Sequence, residues 1–236
     1  MNAAARRLTA LAALFCLVLA CAEEPPPPAS GPKLVHLQED VEPALLYSPP
    51  DAAGGPLLLL LGGPGDAPED WQVLIRRATA QSYHCLLLPP LSVADPDKAY
   101  AQAAEVLLAA MARPEAKGRD AALVAAGVAG NCALEFVKRG EWRPEALVFL
   151  SPAISYGGRR ATEALAAVPH LPIMLNAATG DAHAAASGRA LKRAAEGYVE
   201  LREYGGAAHG ADLLAAIPES SEQVLLWLEP ILMRSE

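Results

Sequence analysis

Along most of the chain, short apolar runs alternate with longer stretches whose apolar residues recur at helical spacing. Leu57 to Leu61 is an unbroken run of leucine, preceded by Pro56 and closed by Gly62-Gly63-Pro64-Gly65. A run so apolar and so sharply bounded predicts a strand buried on both faces. The same pattern predicts strands over Tyr83–Leu88, which Pro89-Pro90 stops, and over Ala121–Ala126, Glu145–Leu150, Ile173–Ala177 and Tyr198–Tyr204. Helices are predicted over Pro68–Gln81, Asp97–Ala112, a segment containing Asn131–Arg139, Ala184–Ala195 and Glu219–Leu232. In the last of these, Val224, Leu225, Leu228, Ile231 and Leu232 share one face. Glu69 and Asp70 suit the first turn of theirs, where the helix dipole favours acids. Lys33–Gln38 and Ala44–Ser48 predict a leading hairpin. No internal repeat interrupts the series. Strands alternating with helices imply an α/β fold: a mostly parallel sheet, right-handed crossovers, helices on both faces and an antiparallel N-terminal hairpin.

The chain has 236 residues, 53% of them hydrophobic and 19% charged, which excludes wholesale disorder and suits one domain. Its formal net charge is −8, and Arg6 and Arg7 are the only charged residues among the first 20, so the remainder is more acidic still. With no basic stripe, nucleic-acid binding is disfavoured, and so is attraction to anionic lipid headgroups.

The amino terminus departs from this pattern. Met1–Arg7 is short and basic, and Leu8–Ala20 is apolar over about 13 residues, against about 20 for a spanning helix. That is the layout of a secretory signal peptide over residues 1–20. It ends in Val18-Leu19-Ala20-Cys21, which resembles a bacterial lipobox, and the resemblance implies lipid on Cys21. The alternative is an ordinary signal peptide cleaved near Ala20 or Ala22. Residues 21–33 contain Pro25-Pro26-Pro27-Pro28 and are expected to be an extended tether between a membrane and a domain at 34–236. Ala22, rather than Asp, follows the cysteine. By resemblance to Gram-negative lipoproteins, this permits sorting to the outer membrane where the organism has one. Cys16 leaves with the signal, so Cys85 and Cys132 remain. They are expected at opposite ends of the sheet, too far apart for the Cα separation of about 7 Å or less that a disulfide needs.

In a doubly covered parallel sheet, ligands bind beyond the carboxyl ends of the strands. Those ends carry Gly62-Gly63-Pro64-Gly65-Asp66, Gly127-Val128-Ala129-Gly130-Asn131, Thr179-Gly180-Asp181 and Gly205-Gly206-Ala207-Ala208-His209-Gly210. With these motifs in chain order, residues 34–234 resemble the α/β-hydrolases, in the neighbourhood of the dienelactone hydrolases and esterases. The resemblance implies that fold, without a large lid and without a cofactor. It also implies an acid at Asp181, a general base at His209, and an oxyanion loop at Gly63 and Pro64, with Val128 as the residue after the nucleophile. Ser151-Pro152 matches a structural Ser-Pro of the family, whereas the family's usual His before the oxyanion loop is Leu61 here.

The family's Gly-x-Ser-x-Gly is not present. Aligning Asn131 with the family's Asn puts Gly127 at the nucleophile position, with Ala125 and Ala129 for the flanking glycines. A shift by two puts Ala129 there instead. Neither has a hydroxyl or a thiol. A Ser in the strained elbow costs about 1–3 kcal/mol, and Gly127 is expected to let the segment relax. Cys132 lies well inside the following helix and reads as a small buried hydrophobe; Ser92 and Ser151 lie on other strand ends. His36, His84 and His170 fall on or beside strands as core or edge residues. His183 suggests a metal group with Asp181 and His209, but lacks a fourth ligand. Trp71 either lines the pocket mouth or packs beneath the loop. Asp181 and His209 either fasten two loops, or activate water or orient a ligand.

The resulting expectation is a membrane-tethered pseudo-hydrolase of the bacterial cell envelope that binds a small ester-like ligand or an envelope protein. The alternative is a serine-independent esterase or lactone hydrolase using Asp181 and His209.

Overall fold

The computed structural model describes residues 31–38, 42–50, 54–92 and 95–233. The expected signal peptide, Cys16, Cys21 and most of the tether lie outside the described residues.

Eight strands form one sheet: β1 (Lys33–Val35), β2 (Ala44–Tyr47), β3 (Leu57–Leu61), β4 (His84–Leu87), β5 (Ala121–Ala126), β6 (Ala146–Leu150), β7 (Ile173–Ala178) and β8 (Val199–Tyr204). Their spatial order is β1-β2-β4-β3-β5-β6-β7-β8. β2 runs antiparallel to both β1 and β4, and every other neighbouring pair is parallel. The leading hairpin is therefore built into the sheet, with only β1 at the edge.

Every residue of β3, β5, β6 and β7 is buried. Successive side chains go to opposite faces, so each strand feeds two core layers. Leu57, Leu59, Leu61 and Leu123 pack with Leu107 and Phe136 on one face, beneath α2 (Pro96–Met111) and α3 (Val128–Lys138). Leu58, Leu60 and Val124 pack with Ile75 and Leu228 on the other, beneath α1 (Gln72–Ala80) and α7 (Pro218–Leu232). α4 (Ala161–Ala166), α5 (Ala182–Ala194) and α6 (Asp212–Ala216) complete the helical layers.

Several boundaries differ from the expectation, for local reasons. The helix expected over Pro68–Gln81 is a 3-10 turn, Pro68–Trp71, followed by α1; Asp70 Oδ2 accepts the Ala67 N–H at 2.8 Å and tightens the turn. α5 begins at Ala182 because Asp181 caps it, its carboxylate accepting the Ala184 N–H at 3.1 Å. α2 begins at Pro96, where the Asp95 side chain accepts the Lys98 N–H and proline suits the first helical position. Three elements were not expected: α4, α6, and a small hairpin of Ser155–Tyr156 with Arg159–Arg160. Arg159 fixes that hairpin, lying over the Tyr100 ring at 3.9 Å and pairing with Asp97 at 2.8 Å.

Candidate functional site

β3 has β4 on one side and β5 on the other, so the chain order switches there, and a crevice opens beyond the carboxyl ends. The residue that turns the chain from β5 into α3 is Gly127, at φ 55° and ψ −131°. Side chains are strained at such positive φ, and glycine is not. Gly127 thus holds the turn without the strain a serine would carry, as expected, and the turn keeps its shape. The Gly127 N–H donates to the Leu150 carbonyl at 2.8 Å, and the turn stays sharp because it must aim α3 back across the sheet. Ala129, the alternative register, is fully buried in the core beneath α3. Close helix–sheet approach falls to Gly130 instead, where a Cβ would meet the Phe149 ring at 2.4 Å. Asn131 donates from Nδ2 to the Ala153 carbonyl at 3.1 Å, tying α3 to the segment after β6.

A Cβ built on Gly127 would have His209 Nε2 as its nearest neighbour, at 3.6 Å. The other ring nitrogen of His209 lies 2.5 Å from Asp181 Oδ2. Asp181 thus uses one oxygen for His209 and the other as the cap of α5. Burial opposes ionisation of Asp181, but the hydrogen bonds from His209 and Ala184 and the charges of His209 and His183 outweigh it, holding the carboxyl below its ordinary value. Asp181, His209 and Gly127 therefore converge. The His209 side chain is 62% exposed, so its ring stands at a wet rim rather than in a dry cavity.

The loop after β3 holds a further residue that no sequence motif singles out. Asp66 Oδ2 accepts the Gly63 N–H at 2.6 Å, and Asp66 Oδ1 accepts the Ala211 N–H at 2.9 Å. Pro64 has no N–H to offer. The expected donors of this loop are thus one capped amide and one residue without an amide hydrogen, with a carboxylate beside them. Burial is the largest influence on Asp66 and pushes its carboxyl above the ordinary value. The neighbouring Asp70 adds to this, while the Ala211 and Gly63 amides and His209 act the other way. Asp66 is acidic in a loop rich in Gly and Pro, which on sequence alone reads as a turn residue. Val128 opens α3 and borders the same space.

These residues line a cleft of about 280 Å³, walled by Gly63, Pro64 and Asp66, by Gly127 and Val128, by His209 and Gly210, and by Tyr156 from the small hairpin. It is at the small end for a ligand pocket, which typically measures about 300–1,000 Å³. The His loop is clamped from below, its Gly210 N–H donating to Ser151 Oγ at 3.0 Å.

The other candidates lie apart from the cleft. Cys132 is buried against the core, which pushes its thiol up to about 12; Cys85 is buried in β4 with its thiol raised by the same cause, and both cysteines are free. A thiol so disfavoured from ionising is inert. Trp71 is 1% exposed and belongs to the core. His84 is buried in β4 with Nδ1 3.1 Å from Ser48 Oγ, whereas His36, His170 and His183 are exposed. Among the described residues no group of three or more His, Cys, Asp or Glu is placed to hold a metal.

No family model matches the sequence, and no curated protein matches it significantly. Solved structures do. A dienelactone hydrolase from Anabaena variabilis superposes with a TM-score of 0.65 at 16% identity, over 86% of this chain and 100% of that one. Carboxylesterase CesB from Bacillus subtilis gives 0.60 at 15% identity, over 84% and 91%. A monoglyceride lipase from Saccharomyces cerevisiae gives 0.65 at 10% identity, over 88% and 98%. The fold is that of the α/β-hydrolases. Those three proteins carry different activities, so the α/β-hydrolase scaffold leaves function to be argued from the site.

Proposed function

We propose that the chain is a catalytically degenerate α/β-hydrolase-fold protein. In this reading it is held at a bacterial membrane by lipid on Cys21, and its cleft or surface binds a small ester-like molecule or another envelope protein. The observation that carries the reading is at the elbow: Gly127 presents no hydroxyl or thiol to His209 Nε2. Acyl-enzyme chemistry needs a nucleophile whose proton the base removes, and a pair of free donors where the oxyanion forms. Here the first is absent, and the Gly63 amide is occupied by Asp66. A carboxylate beside the developing oxyanion would also repel it. What remains is a concave site with a polar ring, suited to holding a small molecule without turning it over.

The tether rests on the sequence, a lipobox-like Val18-Leu19-Ala20-Cys21 placed directly after an apolar signal segment. No helix among the described residues is long and apolar enough to cross a membrane. Cells grown with labelled palmitate are expected to label the chain, and Cys21→Ser is expected to abolish the label. Persistent label on Cys21→Ser would remove the anchor from this reading.

A second reading is favoured by the intact Asp181–His209 pair facing open space at Gly127: His209 activates a water, and hydrolysis proceeds without serine. Short-chain p-nitrophenyl esters separate the two. For a degenerate site, the full chain and His209→Ala hydrolyse them equally, at the rate of buffer. Turnover by the parent that disappears in His209→Ala would establish the water-activating enzyme and overturn degeneracy.

A further inference from the structure

The two edges of the sheet are not alike. β1 has three residues, includes Lys33, and is the kind of short, charged edge that discourages pairing. β8 has six residues, contains no proline or lysine, and pairs only with β7 among the described strands. Its inward backbone groups are fixed by the ladder. The Tyr198 carbonyl accepts the Ile173 N–H at 3.0 Å, and the Tyr204 carbonyl accepts the Thr179 N–H at 2.7 Å. Backbone direction alternates along a strand, so Val199, Leu201 and Glu203 turn their N–H and C=O groups to the open edge.

The side chains carry a matching pattern. Glu200 and Arg202 share the face toward α7 and pair with each other at 2.5 Å, 24% and 45% exposed. Tyr198 stacks on Trp227 of α7 on the same face, with centroids 6.3 Å apart. Beside them is a groove of about 500 Å³, bordered by Leu226 and Arg202. Tyr198 and Leu226 are 58% and 54% exposed, and they are two of the four large apolar side chains exposed among the described residues.

We propose that β8 pairs with β8 of a second copy of this chain, antiparallel, about a two-fold axis through Leu201. The occupant is chosen by self-complementarity. With the axis at Leu201, the outward groups of Leu201 exchange N–H···O bonds with those of the second copy's Leu201. Val199 does the same with the second copy's Glu203. Glu200 and Arg202 then fall in the non-hydrogen-bonded pairs, where Cα atoms approach to about 4.5 Å and side chains are closest. Each Glu200 faces an Arg202, twice per dimer, as a two-fold interface requires. Opposite charges at such positions stabilise pairing and like charges oppose it. The exposed Tyr198 and Leu226 flank the seam, which joins two sheets into one. This inference does not depend on what the cleft does.

Sedimentation equilibrium of the full chain, in density-matched detergent so that a lipid anchor does not report, tests it. The parent is expected at twice the mass of its single chain. Arg202→Glu leaves two acids on this face, and Glu200→Arg leaves two bases. Each is expected to raise the dimer dissociation constant by about tenfold or more. Mixed in equal amounts, the two variants are expected to recover parental affinity. Neither variant retains its own Glu200–Arg202 pair, so recovery on mixing reports contact between chains. A cooperative thermal melt, read at a concentration where parent and variants are all monomeric, shows that both remain folded. A parent that stays monomeric at about 100 μM, variants that dimerise as the parent does, or a mixture no tighter than either variant would each overturn the proposal.

Discussion

Gly127→Ser alone is expected to give a very weak esterase, and Gly127→Ser with Asp66→Asn an esterase about 10²-fold better in kcat/KM. The nucleophile can be accommodated. A Cβ at Gly127 meets no atom closer than His209 Nε2 at 3.6 Å, so an Oγ one bond further out can reach that nitrogen. The strained φ of 55° costs about 1–3 kcal/mol of stability, which urea denaturation would show. The single variant still fails at the oxyanion, because Asp66 occupies the Gly63 N–H. In Asp66→Asn the side-chain oxygen can keep the Ala211 N–H, as Oδ1 does now, while the –NH₂ cannot accept from Gly63. The Gly63 amide is then free, the negative charge is gone, and a further donor points into the hole. Losing one oxyanion donor costs about 10²–10³ in kcat elsewhere, which sets the gain expected here. Steady-state kinetics on p-nitrophenyl butyrate for both variants reads it. Equal rates would mean that the Asp66 carboxylate does not obstruct the hole.

Most of the scaffold was legible because burial on both faces leaves a strong mark. The leucines of β3 and the alanines and valine of β5 admit little besides a central strand. Asp181 and His209 each follow a strand end in a turn-rich segment, and their meeting was legible through the family resemblance rather than from either segment alone. Asp66 was not: its bond to Gly63 is local but reads as ordinary turn chemistry, and the second bond, to Ala211, is 145 residues away and has no local pattern to announce it. The small hairpin sat between the two: Gly157-Gly158 is turn chemistry, but strands of two residues are too short to show alternation. Gly127 holds the elbow conformation, at φ 55°, without the steric cost a serine would carry, as expected of glycine there. The turn belongs to the connection between β5 and α3, and glycine simply occupies it without penalty.

Structural bonds alone account for the placing of Asp181 and His209 beside Gly127. Asp181 caps α5, Asp66 links the oxyanion loop to Ala211, and Ser151 holds Gly210. Each of these bonds secures a loop whether or not a reaction occurs. Geometry that looks catalytic is therefore also the geometry that closes this end of the sheet. The presence of His209 and Asp181 is weak evidence for turnover, and the state of Gly127 and Gly63 is the stronger guide.

Trp71→Ala is expected to destabilise the chain by about 3–5 kcal/mol, more than any change at the cleft. Trp71 ends the 3-10 turn that follows the oxyanion loop and is only 1% exposed. That turn touches both α1 and α6, and α6 directly follows the His loop. Truncation leaves a cavity where loop, sheet and helix meet, and neighbours anchored by backbone hydrogen bonds collapse into it only partly. A loss of that size is a large share of the roughly 5–15 kcal/mol that holds a typical domain together. Urea denaturation followed by far-UV circular dichroism measures it, with Leu108→Ala as the comparison. Leu108 is 42% exposed on α2, and its truncation should fall within about 0.5 kcal/mol of the parent. If Trp71→Ala also fell in that range, the indole would not be part of the core, and the oxyanion loop would owe its position to Asp66 and Asp70 alone.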